Sequence, residues 1–168
     1  YYARARNMHK ASSVVQSKHG GVFPTSYDDL VALPGVGPYT AAAVSSISSD
    51  AHRAVVDANV IRVLCRHEGI EDNPKLPAVQ VRLQTIADTN LDEARPGDFN
   101  QAMMELGATV CLPRAPACLT CPVRAFCAGA RQGRPEELPR LQPRQLEERT
   151  VVRVWCQRAG ALLLHRSP

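Results

Sequence analysis

The chain has 168 residues, a net charge of +4, 45% hydrophobic residues and 21% charged ones, enough to bury a core in one ordinary domain or two small ones. No run approaches the roughly 20 apolar residues of a membrane span, and YYARARNMHKASSVV lacks both the apolar core and the cleavage pattern of a signal peptide, so the composition is that of a soluble globular protein. Residues 1–20 carry Arg4, Arg6, Lys10 and Lys18 without an acid, whereas residues 68–98 are dominated by Glu68, Glu71, Asp72, Asp88, Asp92, Glu93 and Asp98. That asymmetry would steer a polyanion to one face, although solvated helix faces give the same pattern.

Helix-like periodicity covers residues 1–18, 26–32, 38–49, 57–67, 78–90 and 98–109, punctuated by HGGVFPTS and ARPGD. Between the second and third segments, LPGVGPYTAAAV forms a tight hairpin: Gly35 and Gly37 are free to take positive φ, Pro34 and Pro38 stiffen the turn, and Pro38 suits the first helical position. The helix amides behind such a turn point outward and can meet a phosphate oxygen; a plain helical hairpin packed in a core is the alternative. Asp57 then follows the apolar run HRAVV and opens the amphipathic stretch ANVIRVLCRH, where it caps a helix without losing its charge, with Asn59 two residues on. Asp98 with Gln101 reads as a capping box for FNQAMMELGATV.

CLPRAPACLTCPVRAFC places Cys111, Cys118, Cys121 and Cys127 in the spacing C-x6-C-x2-C-x5-C. Four thiols in so short a stretch call for a metal rather than disulfides. Structural zinc usually takes two close Cys pairs, and only one is present; the unequal outer loops suit the corners of a [4Fe-4S] cube better, with zinc the standing alternative. Cys65 and Cys156 sit in apolar patterns and read as small buried hydrophobes. Residues 131–148, rich in Arg, Glu, Gln and Pro, read as a linker, and TVVRVWCQ and GALLLHR beyond them as two strands joined by a Gly turn. Without an initiator Met and with those strands starting a domain at the very end, the chain is expected to be a fragment.

In this order, LPGVGPYTA, VVDANVIRVLCR, FNQAMMELGATVC and the four cysteines resemble the endonuclease III superfamily of base-excision DNA glycosylases, and within it the MutY-type adenine glycosylases. The resemblance covers residues 1 to about 130 closely and the rest loosely. It implies an all-α helix-hairpin-helix glycosylase core with a [4Fe-4S] cluster loop, followed by the first strands of a truncated α/β Nudix-like domain. Residues 1–57 would be part of the six-helix barrel, with the helix-hairpin-helix at about 26–49; residues 58–130 would be the cluster domain, and residues 149–168 the start of the Nudix-like part.

The implied chemistry is hydrolysis of the N-glycosidic bond of adenine opposite 8-oxoguanine or guanine in double-stranded DNA. Bifunctional relatives carry a lysine nucleophile where this chain has Tyr39, which cannot form a Schiff base. By resemblance, then, Asp57, Asn59 and Tyr39 are catalytic; Cys111, Cys118, Cys121 and Cys127 hold the cluster; and Leu33, Gly35, Val36, Gly37, Thr40 and Arg114 meet DNA. The family's base-protonating Glu lies upstream of YYARAR, so the expected fragment is inactive or weakly active, and Ala58 stands where the family usually has Gly. A monomer is expected, away from membranes: cytoplasmic on a bacterial nucleoid, or nuclear or mitochondrial in a eukaryote. An endonuclease III-type enzyme on oxidised pyrimidines and a non-catalytic zinc-stabilised DNA-binding module are the rival readings.

Overall fold

In a computed structural model of the protein, the residues described are 2–141, 148, 150, 157, 158, 161 and 162. They form a helical array: α1 Tyr2–Lys18, α2 Tyr27–Val31, α3 Pro38–Ser49, α4 Ala58–Glu68, α5 Pro77–Asn90, α6 Pro96–Glu105 and the single turn α7 Ala128–Arg131. This agrees with the all-α expectation. Gln157–Arg158 pairs antiparallel with Ala161–Leu162, a short piece of the expected strand pair; Cys156 and the remainder of those strands lie outside the described residues.

The helices bury two apolar clusters. Leu30, Leu33 and Ala41 are at most 3% exposed and gather Ala11, Val14 and Val15 of α1 with Tyr27, Val31, Val36 and Val44. The larger cluster joins α4, α5 and α6 through Val60, Leu64, Cys65, Val79, Leu83 and Ala87, with Phe99, Met103 and Met104 packed on it. α3 and α6 lock the two together at close range, because a Cβ on Gly97 would lie 2.6 Å from the Ser46 carbonyl oxygen.

Two local expectations change. The sixth helix begins at Pro96, not after Asp98: proline's fixed φ fits the first helical turn, and Asp92 sets up the entry by accepting from the amides of Ala94 and Arg95, both at 2.8 Å. Asp98 is then inside the first turn, where Arg95 holds it at 2.6 Å, and Gln101 turns to the Gly97 carbonyl. The linker reading of residues 131–148 fails at its beginning. Leu138 is 3% exposed, Arg140 pairs with Glu71 at 2.7 Å, and Arg134 reaches the same carboxylate, so the chain stays fastened to the core through residue 140.

Candidate functional site

The hairpin is a four-residue turn, closed by the Val36 amide donating to the Leu33 carbonyl at 3.1 Å. Gly35 occupies its third position at φ +82°, a conformation that L side chains resist, with Pro34 ahead of it. A Cβ on Gly35 would also strike Asn7 of α1 at 2.6 Å, so the turn is seated against that helix. Gly37 differs from expectation: at φ −90°, ψ 173° it is extended backbone and serves as the N-cap of α3, with Pro38 at the first helical position. Pro38 has no amide hydrogen to present, and the amides of Tyr39 and Thr40 are the first-turn donors left without an intrahelical partner. Leu33 is buried in the core, so its side chain is structural, while Thr40 is exposed. Tyr39 is 45% exposed, and its hydroxyl makes a long 3.7 Å contact with the Met104 sulfur of α6. An open groove lies between α1 and the hairpin, bordered by Arg4, Asn7, Phe23, Gly35, Tyr39 and Thr40.

Asp57 caps α4: its Oδ1 accepts from the Val60 amide at 2.7 Å, and its Oδ2 accepts from Asn59 Nδ2 at 3.3 Å. The carboxylate is half-buried and keeps lone pairs in reserve. Asn59 in turn accepts from Arg62 Nη2 at 2.9 Å; the same nitrogen donates to the Gly107 carbonyl at 2.6 Å, and Arg62 Nε donates to the Cys111 carbonyl at 2.7 Å. Burial pulls the Arg62 guanidinium below its ordinary pKa, opposed by the Cys111 thiol beside it. Gly107 permits this approach, since a Cβ there would be 2.6 Å from Asn59 Cβ.

One turn along α4, Arg66 is 2% exposed and fully engaged. It donates to the carbonyls of Leu112 at 2.6 Å, Pro113 at 3.0 Å and Leu138 at 3.1 Å, and its Nη1 lies 3.3 Å from the Cys111 sulfur. Sequence reasoning passed over both arginines, because Arg on an amphipathic helix usually points to water. The available signal was their i, i+4 spacing beside Cys65 on the helix that Asp57 opens.

A π-helical turn, Leu106–Val110, carries α6 into Cys111, and the Ala117 amide closes the following loop on the Val110 carbonyl at 2.9 Å. Arg114 is exposed on that loop, whose next residue, Ala115, sits at φ +47° with its amide held by Glu136 at 3.0 Å. Cys118 and Cys127 flank two short 3-10 turns, and all four cysteines border one small cavity floored by Val63, Leu106 and Val110. Among the described residues no three His, Cys, Asp or Glu side chains are placed to hold a metal ion as they stand. The donor chemistry still fits a metal centre: burial first, then the neighbouring Cys111, Cys127 and Cys121, push the Cys118 thiol up, and four thiolates stay together only around positive charge. Cys65 takes no part; it is fully buried and its thiol is pushed up to about 11 by burial.

Residues 18–47 match the helix-hairpin-helix motif. The chain is 43% identical over 159 residues to an adenine DNA glycosylase of Mus musculus, covering 94% of this chain and 31% of that protein. A thermostable thymine-DNA glycosylase structure superposes with a TM-score of 0.69 at 32% identity, over 77% of this chain and 59% of that one. Endonuclease III in a non-covalent DNA complex superposes with a TM-score of 0.64 at 25% identity, over 78% and 59%. The chain thus spans under a third of the mouse relative's length, and along that span it is similar to adenine DNA glycosylases and carries a helix-hairpin-helix motif.

Proposed function

We propose that this chain is the catalytic core of a monofunctional glycosylase that hydrolyses the N-glycosidic bond of adenine opposite 8-oxoguanine or guanine in duplex DNA. The observation that carries the reading is Asp57, a carboxylate held by the Val60 amide and Asn59 at the mouth of α4 with its charge still available. The names of the curated relatives support the choice of adenine.

Loss of a protonated base leaves an oxocarbenium-like sugar cation, and a fixed carboxylate about 4 Å away stabilises it by about 4 kcal/mol at an effective dielectric near 20. Asp57 takes that role and Asn59 holds its direction. The unpartnered amides of Tyr39 and Thr40, presented behind the Gly35 turn, grip the phosphates of the strand whose base is turned out of the stack, with Val36 packing the turn beneath them. Tyr39, at the rim of the groove, lines the pocket and offers no amine, so water completes the reaction. The proton donor to the base is assigned to no residue of this chain.

Cys111, Cys118, Cys121 and Cys127 would hold a [4Fe-4S] cluster, which ties four points of the loop into one body and presents Arg114 to the DNA backbone. The division into a barrel part over residues 1–57 and a cluster domain over residues 58–130 draws support from the smaller apolar cluster lying within residues 11–44, although the larger one also takes in Ala54 and Val56. The protein acts as a monomer on DNA, on the nucleoid or in the nucleus or mitochondrion; no helix among the described residues is long and apolar enough to cross a membrane.

The test is the full reading frame incubated with duplexes bearing A opposite 8-oxoguanine, A opposite guanine, or an oxidised pyrimidine, with and without borohydride. Adenine release without a trapped covalent adduct is expected. An adduct on the pyrimidine duplex would instead assign the chain to the endonuclease III-type chemistry.

A further inference from the structure

We propose that Asn100 is a positioning residue for the Asp57 carboxylate. Residues 53–56 lead into α4 in neither helix nor strand, so side chains must hold them. Asn100, on α6 and 2% exposed, does so with both ends of its amide. Its Oδ1 accepts from the Val55 amide at 2.9 Å, and its Nδ2 donates to the Arg53 carbonyl at 2.8 Å and to Ser46 Oγ at 3.0 Å. An asparagine suits this place, since one amide both donates and accepts, and it ties the segment back to α3 through Ser46. Seven residues along the same motif, Gly107 presses on Asn59 from the other side. FNQAMMELGA therefore brackets Asp57, with Asn100 fixing where the chain enters α4 and Gly107 fixing its first turn.

The inference rests on the glycosylase reading for its kinetic arm only. In the full reading frame, Asn100→Ala leaves the Val55 amide and the Arg53 carbonyl without partners, while Asn100→Asp keeps the acceptor and loses the donor. Amide hydrogen exchange should accelerate about tenfold at Val55 and at Val60, the amide that Asp57 caps. Single-turnover adenine release should fall on the order of tenfold to a hundredfold with duplex affinity unchanged, and Asn100→Asp should recover part of both. Leu30→Ala, a destabilising change in the other apolar cluster, should leave Val60 exchange unaltered. A folded Asn100→Ala, or Asn100→Asp if alanine does not fold, with parental exchange at Val60 would overturn the proposal. If exchange rises while Asp57→Asn leaves excision intact, the positioning stands and the catalytic reading of Asp57 fails.

Discussion

Arg66 offers the sharpest stability test. Arg66→Met retains much of the apolar stem and removes every donor. The carbonyls of Leu112 and Leu138, now bonded at 2.6 and 3.1 Å, lose their partners, and Leu138 is too buried for water to replace them. Pro113 is exposed and can turn to solvent. Leaving the buried Leu138 acceptor alone costs about 1–3 kcal/mol and the half-buried Leu112 acceptor adds a smaller amount, less whatever is returned by no longer desolvating a guanidinium. Against a total stability of about 5–15 kcal/mol this is a large loss. Urea unfolding of oxygen-protected protein, followed by far-ultraviolet circular dichroism, should show a lower midpoint with an unchanged slope. A shift below about 0.5 kcal/mol would show that the arginine is an ordinary surface cation and that the loop's fastening to α4 is illusory.

Gly35→Ala should destabilise by about 1–2 kcal/mol through its φ of +82° and weaken duplex binding; adding Asn7→Gly removes the 2.6 Å clash and should recover only part of the loss in thermal denaturation. Cys65, pushed up to about 11 in the folded chain from 9.0, binds its proton more tightly when folded. Its contribution is complete below about pH 9 and is lost as pH climbs to about 11, amounting to about 2–3 kcal/mol, so Cys65→Ala should flatten the parent's fall in melting temperature across that window. Anaerobically purified protein should contain about four irons and four sulfides per chain, lost in Cys118→Ser; zinc without iron would make the four-cysteine loop a zinc knot.

Much of this was legible in the chain itself. Asp57 stands between an apolar run and an amphipathic helix, which defines a cap from local pattern alone, and Pro34-Gly35 writes its turn type into two letters. Gly37 is free to take positive φ without being required to, and here the cap of α3 needs extended backbone. Asp98 was misplaced because a capping box is a four-residue signal, and proline two residues earlier outweighs it. What local pattern could not show is pairing over long separations. Arg66 meets Leu138 across 72 positions and Asn100 meets Val55 across 45. The fastening of residues 131–140 was hidden for the same reason, since its partners are Glu71 and Arg66.

The central claim is that Asp57 faces the sugar cation. Single-turnover adenine release from an A:8-oxoguanine duplex, comparing the full reading frame with its Asp57→Asn variant, tests it directly. Asparagine can still cap α4 through its carbonyl oxygen, so the fold should hold while the charge is lost. A fall of about a thousandfold, the equivalent of about 4 kcal/mol, is expected at unchanged duplex affinity and unchanged iron content. Release within a few-fold of the parent by that variant would contradict it.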